Sequence, residues 1–306
     1  MGRRRRRGRD VHGILLLDKP VGMTSNQALQ AVRRLYGARR AGHTGSLDPL
    51  ATGLLPICLG EATKISGFLL AADKRYRFTV RLGEITDSGD ADGEMLERRA
   101  IEGVNREAIE RALSGYRGEI EQVPPMHSAV KQGGQPLYRL AHRGEVVDRE
   151  ARPATIHRLE LFEFDGRDIV LEVHCSKGTY VRTLATELGE DLGPGGHIVA
   201  LRRIGAGPFD DDGSLWTLSA LEERGEAGGF AALDEILLPI DAGLSDWPAV
   251  EMGTEMADFV RQGQAVQVPR SPRAGRVRLY DREQGFFGIG AIEDDGRVAP
   301  RRLMHL

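Results

Sequence analysis

Between Lys74 and Gly83 the chain reads Lys-Arg-Tyr-Arg-Phe-Thr-Val-Arg-Leu-Gly, basic residues alternating with apolar or aromatic ones. A period of two sends successive side chains to opposite faces, so this stretch predicts a strand with one buried and one cationic face. Gly13 to Asp18 and Ile169 to Cys175 are two further predicted strands. Other segments repeat every three to four residues, as one face of a helix does. Leu29, Val32, Leu35 and Tyr36 form such a stripe, with Ser25 as the expected N-cap and Gly37 as the stop. Asn105 caps a second, carrying Ile109, Ala112, Leu113 and Tyr116, and Ser176 to Thr179 turn the chain into a third with Val181, Leu184, Ala185 and Leu188. Tyr180 and Arg182 fall in the first turn of that helix but off its apolar stripe.

The net charge of −3 hides an asymmetry. Residues 1–83 hold 16 Lys and Arg against 5 Asp and Glu, a surplus of +11, so the remaining residues carry −14. One basic face on an otherwise acidic protein points to a polyanionic partner. Arg3 to Arg7 contribute to it, and residues 1–10 read as a solvated, disordered tail. No apolar run reaches the ~20 residues of a membrane span, and none follows the arginines as in a signal peptide. Two cysteines, Cys58 and Cys175, are too few for a disulfide framework or a cysteine-rich zinc site; the expected compartment is the cytoplasm.

Within Gly42 to Leu55 a single carboxylate, Asp48, sits after a glycine-rich turn and before an apolar run. Asp48 reads either as a helix N-cap with Pro49 at the first helical position, or as a reactive carboxylate on a loop that glycines open to a substrate. Spacing alone favours the cap. Lys19 stands beside the start of the first helix, where anions are favoured, although a lysine before a turn is commonly just solvated. The acidic run from Asp87 to Glu94 lacks the twelfth-position carboxylate of a calcium loop and reads as a solvated turn. From Met126 to Arg152 the chain is polar, with Lys131, Arg139, His142, Arg143, Arg149 and Arg152 interleaved with Tyr138. That mixture suits either a basic excursion over a nucleic-acid backbone or an ordinary exposed insertion. Beyond Trp247 a short helix with Met256, Phe259 and Val260 precedes predicted strands at 265–268, 277–280 and 286–292, a small β-rich domain. Phosphate-loop, dinucleotide-binding, helical His-x-x-x-His and Gly-x-Ser-x-Gly patterns are all missing, so the sequence calls for no cofactor or metal.

Gly42-His43-Thr44-Gly45-Ser46-Leu47-Asp48-Pro49-Leu50-Ala51-Thr52-Gly53-Leu54-Leu55 closely resembles the catalytic motif of the TruB-type tRNA pseudouridine synthases. Lys19 to Ser25 resembles that family's first motif, Lys74-Arg75-Tyr76 its tyrosine segment, and Ser176 to Arg182 with Leu201-Arg202-Arg203 its later motifs. Phe286 to Gly290 and Ala299 to Leu303 are similar to its PUA-like RNA-binding domain. The resemblance runs over nearly the whole chain. It implies an α+β pseudouridine-synthase fold, a mixed and largely antiparallel sheet flanked by helices. Residues 11–246 would form the catalytic domain, with a thumb insertion at about 124–152, and residues 247–306 the PUA-like domain.

The family isomerises uridine-55 in the T-arm of tRNA to pseudouridine without a cofactor. By this resemblance Asp48 is the nucleophile, Tyr76 stacks on the flipped uracil and assists proton transfer, and Arg182 pairs with Asp48. His43 fills the space left by the extruded base, Tyr180 and Leu201 line the pocket, and Lys19 joins them in binding substrate. Base flipping costs a few kcal/mol, which phosphate contacts from the basic half would offset. His127 stands where many members carry tyrosine or phenylalanine, and His142 where arginine is common. The expected partner is tRNA, with no membrane, no obligate protein partner and a monomeric enzyme. The alternatives are a guide-dependent pseudouridine synthase and an RNA-binding or tRNA-folding protein on the same scaffold.

Overall fold

The computed structural model describes residues 8–305 except 127, 129, 133, 142, 144 and 146, so the arginine run, His127 and His142 lie outside the described residues. The chain opens with β1 (Gly13–Lys19), α1 (Ser25–Leu35), β2 (Ala41–His43), β3 (Thr52–Leu59), α2 (Ser66–Ala71) and β4 (Lys74–Leu82). A small hairpin, β5 (Glu84–Thr86) and β6 (Met95–Arg98), leads to α3 (Arg106–Ser114) and β7 (Gly118–Gln122). The basic insertion holds a short ribbon, β8 (Lys131–Gln132) and β9 (Gln135–Pro136), and a single turn, α4 (Leu137–Ala141). Then come β10 (Arg152–Phe164), β11 (Asp168–Cys175), α5 (Val181–Leu192), β12 (Gly196–Ala206), β13 (Phe209–Asp210) and α6 (Leu218–Asp234). The C-terminal part consists of β14 (Ala249–Met252), α7 (Thr254–Arg261), β15 (Gly275–Asp281), β16 (Gly285–Ile292) and β17 (Val298–Leu303).

Nine strands join in the order β1-β3-β12-β4-β11-β10-β7, with β2 and β13 attached to β3 and β12. Among these, β3 and β12 run parallel and the other pairs antiparallel, the mixed and largely antiparallel sheet that the resemblance implies. The core lies between the sheet and the helices: Phe78, Val80 and Leu82 of β4 meet Val181, Leu184 and Leu188 of α5, and Val32 of α1. A second apolar cluster ties Ile14 and Leu54 of the sheet to Ile289 and Met304 of the C-terminal part. That part has its own four-stranded sheet, β14-β15-β16-β17, and its own core around Val260, Val277 and Val298.

The alternation in β4 is realised, but the cationic face is not free. Arg75 pairs with Asp210, Arg77 with Glu172 at 3.1 Å, and Arg81 with Asp168 at 2.7 Å, so acids of the following strands neutralise it. Thr24, not Ser25, caps α1, because its hydroxyl accepts from the Gln27 N–H while Gln27 reaches back to the cap. Ser25 instead turns inward and exchanges hydrogen bonds with Leu47 of the Asp48 loop. No strand forms over 265–268; Val266 makes only an isolated bridge to Val298, since Pro269 follows and the neighbouring strand is already paired. Phe259 is exposed on α7, whose buried residues are Ala257 and Val260.

Candidate active site

Asp48 lies in the loop from Thr44 to Ala51, between β2 and β3. No helix follows it, which corrects the N-cap expectation. The apolar run after Asp48 is β3, paired with β1 on one side and β12 on the other, and a strand buried on both faces reads as continuously apolar. Gly53 enters that strand at φ +93°, and a Cβ there would press into the Arg203 carbonyl oxygen, so the position takes only glycine.

Three buried groups fix the loop from behind. Ser25 holds Leu47. Lys19, fully buried, donates from Nζ to the carbonyls of Pro20 (2.8 Å), Met23 (2.6 Å) and Pro49 (3.4 Å). An ammonium has three protons, and these acceptors engage all of them. Lys19 is therefore neither solvated nor open to substrate; it ties the β1–α1 loop to the Asp48 loop. Burial lowers its pKa to about 8 against the opposing pull of Asp48. Arg203 of β12, also buried, donates from Nε to the Leu54 carbonyl (2.7 Å) and from Nη2 to the Gly45 carbonyl (3.2 Å), bracketing the loop at both ends.

Arg182, in the first turn of α5, puts Nε 2.9 Å from Asp48 Oδ2 and 3.7 Å from Asp90 Oδ2. Its Nη1 donates to the Ser88 carbonyl at 3.1 Å. The Arg182 side chain is 7% exposed and that of Asp90 6%, against 41% for Asp48. One guanidinium thus joins a buried carboxylate to an accessible one, and only Asp48 can meet a ligand. Asp90 belongs to the acidic run expected to be a solvated turn. It is held by the Ser88 hydroxyl (2.6 Å) and the Asp92 N–H (3.2 Å), and backbone bonds on either side join the loop to Ile198 of β12. Burial raises the Asp48 pKa, Arg182 opposes that, and the charges of Asp90 and Asp92 add to it.

Tyr76 projects from the core face of β4, opposite Arg203 in the β12 register, and packs against the cluster containing Leu201 and Val181. Burial drives its phenol pKa up while the Arg203 guanidinium pulls it down; Asp48 lies within electrostatic reach. Leu201 is buried in this wall. Tyr180 caps α5, its backbone exchanging two hydrogen bonds with the Gln122 amide. His43 ends β2, directly before the loop, and burial with Arg203 nearby lowers its pKa, which keeps the ring neutral at pH 7. The structure thus gathers Asp48, Arg182, Tyr76 and Leu201 around one loop, places His43 directly before it and Tyr180 at the start of the helix that carries Arg182, and seals Lys19 behind it.

Four buried polar atoms find no partner among the described residues: His43 Nδ1, Thr44 Oγ1, Ser128 Oγ and Arg149 Nε. His43 directly precedes the Asp48 loop and Thr44 is its first residue, while the other two lie in the basic insertion. Unsatisfied buried polar atoms are rare in native proteins and mark places where something else completes the bonding.

A family model described as TruB family pseudouridylate synthase (N terminal domain) matches residues 33–181. One described as tRNA pseudouridylate synthase B C-terminal domain matches 182–245, and one described as Pseudouridine synthase II TruB, C-terminal, matches 248–304. The chain is 54% identical over 301 residues to a protein of Nitrosococcus oceani named tRNA pseudouridine synthase B, covering 98% of this chain and 97% of that protein. A protein of the same name from Pseudomonas aeruginosa is 54% identical over 296 residues, covering 97% of each. Among solved structures, a Cbf5-Nop10-Gar1 complex matches with a TM-score of 0.73 and 26% identity, over 95% of this chain and 84% of that one. An H/ACA RNP bound to a substrate RNA containing 2′-deoxyuridine matches with a TM-score of 0.74 at 23% identity, over 96% and 85%, which speaks to the fold alone.

Proposed function

The chain belongs to the TruB family of pseudouridylate synthases, and from that premise we propose that it converts uridine-55 in the T-arm of tRNA to pseudouridine with Asp48 as its nucleophile. The observation that carries this reading is the pairing of Asp48, the accessible carboxylate of the site, with Arg182 at 2.9 Å. The guanidinium keeps the carboxylate ionised and aimed against the burial that favours its protonation.

Uridine and pseudouridine are isomers, so the reaction needs no redox partner and no group donor. The Asp48 carboxylate attacks ribose C1′ as the C1′–N1 bond breaks, and the electron pair leaves with the uracil. The detached base turns, C5 bonds to C1′ as the aspartate departs, and the proton on C5 is lost to solvent while N1, freed of its glycosidic bond, takes one up, so the base ends neutral. Tyr76 stacks on the flipped base, and its phenol, protonated at neutral pH, takes part in proton transfer. Arg203, buried behind Tyr76, supplies fixed positive charge where the uracil carries negative charge. Leu201 and Tyr180 wall the pocket, and His43, neutral, takes the space vacated by the base. The orphaned atoms of His43, Thr44, Ser128 and Arg149 lie at the start of the Asp48 loop and in the insertion, which fits a thumb that closes on the T-loop with RNA completing those bonds.

In this reading residues 11–246 form the catalytic domain and 247–306 an RNA-binding PUA-like domain, and the enzyme acts as a monomer without guide RNA. Relatives at 54% identity over nearly the full length support the stand-alone enzyme over the guide-dependent one, whose likeness stands at 26%. Purified protein alone is incubated with unmodified tRNA tritiated at uridine C5, and tritium release is followed. Release is expected from the wild type and is abolished in Asp48→Asn, with tRNA binding retained. A wild type that binds tRNA without releasing tritium overturns the reading, as does turnover by Asp48→Asn.

A further inference from the structure

On the sheet face turned away from Tyr76, three potential ligands converge. His174 of β11 stands opposite Arg75 in the β4 register, while Tyr76 stands opposite Val173, so His174 and Tyr76 lie on different faces. His157 is the extra residue of a bulge in β10: Ile156 pairs with Cys175 and Arg158 with His174, leaving His157 between them. A bulge re-aims one side chain, and here the imidazole turns toward His174, with ring centroids 4.8 Å apart. Asp73, just ahead of β4, completes the group, its backbone carbonyl anchored by the Gly207 N–H at 2.9 Å.

Asp73 Oδ2 lies 3.1 Å from His157 Nε2 and 3.8 Å from His174 Nε2, and the three ligand atoms all fall within 4.8 Å of one another. Around tetrahedral zinc with ligands at about 2.0–2.1 Å, neighbouring donor atoms sit about 3.3–3.4 Å apart. Two of the separations already bracket that edge, and modest rotation of the exposed rings closes the third. The neighbouring cations are engaged elsewhere, Arg75 by Asp210 and Arg158 by Glu160 at 2.8 Å. His174 also lines an open cleft of about 390 Å³, through which a hydrated ion can reach the group and keep water in a fourth position. We propose that Asp73, His157 and His174 form a surface site for a zinc-class divalent cation, clamping the start of β4 to β10 and β11. Imidazole with carboxylate suits zinc and its late first-row neighbours rather than magnesium or calcium.

The site is separate from the RNA-modifying centre, so its test is independent of activity on tRNA. Untagged full-length protein, stripped with chelator, is titrated with zinc chloride by calorimetry beside His157→Gln, His174→Gln and Asp73→Asn. Circular dichroism verifies that each variant is folded. One zinc per chain is expected in the wild type, with affinity reduced at least about tenfold in every folded variant. Cobalt bound in place of zinc should show visible absorption bands that the variants lose. A wild type without saturable one-to-one binding overturns the proposal whatever the variants do. Wild-type affinity retained in folded variants places the ion elsewhere and overturns it equally.

Discussion

Replacing Arg182 with methionine tests the ion pair on which the proposed chemistry depends. With charge centres about 4 Å apart, a carboxylate and a guanidinium attract by about 1 kcal/mol in water and about 4 kcal/mol at an effective dielectric of about 20. Asp48 is 41% exposed, so solvent screens the pair and the lower half of that interval applies, about 1–2 kcal/mol. At about 1.4 kcal/mol per tenfold change in ionisation, Arg182→Met moves the acid limb of the pH–rate profile upward by about one pH unit. The direction follows from the sign: burial already favours the protonated carboxyl, and the methionine removes the one charge that opposes it. The unaimed carboxylate should also cut the plateau rate about 100-fold. Single-turnover tritium release between pH 5 and 9 measures both effects. Arg182→Lys is the control: it keeps the charge, so the limb stays, but a lysine cannot serve Asp48, Asp90 and the Ser88 carbonyl together, so the plateau falls. A folded Arg182→Met whose acid limb coincides with the wild type would show that the pair does not govern Asp48.

Asp90→Asn should move the same limb the other way, to lower pH, because the Asp90 charge raises the Asp48 pKa; an upward shift contradicts the assigned electrostatics. Gly53→Ala should lower stability by at least about 2 kcal/mol, read as the urea midpoint, because the residue sits at φ +93° against the Arg203 backbone; an unchanged midpoint refutes the glycine requirement.

Elements that bury a face by local rule were legible. β4, β11, α1, α3 and α5 emerged from residue patterning because each one's apolar spacing matches the surface it covers, and β1 from a short apolar run that the fold buries on both faces. α6 gave no such sign. Its buried residues are only Leu221 and Leu233, and it is interrupted at Gly229, where φ is 62°. The site divided along the same line. Asp48, Tyr76 and Arg182 stand in long motifs, whereas Asp90 looks like any acid in a glycine-containing turn. What buries Asp90 is a guanidinium 92 positions further on, brought to it when the loop docks on β12. Lys19 was misread for a related reason. A lysine before a turn is solvated unless three carbonyls surround it, and one of those comes from Pro49, on the far side of β2.

The basic half of the chain shows how far a charge count carries. A surplus of +11 over residues 1–83 suggested a basic face for a polyanionic partner, and the alternation in β4 gave that half of the chain a cationic strand face. Yet Arg75, Arg77 and Arg81 each meet a carboxylate of the acidic remainder, on the sheet face opposite Tyr76, while Lys19 and Lys74 are buried against carbonyls. Much of the surplus is internal pairing and not a surface potential. Arg77 decides between the two accounts because it is half exposed and would be free to reach a phosphate if RNA lay on that face. A lysine or arginine on a phosphate contributes about one unit to the slope of log affinity against log salt. Arg77→Ala should therefore leave that slope and the tRNA affinity unchanged from 50 to 300 mM KCl in a fluorescence anisotropy titration. A slope shallower by about one unit would put RNA on the outer face of β4 and return the cationic strand to the binding surface.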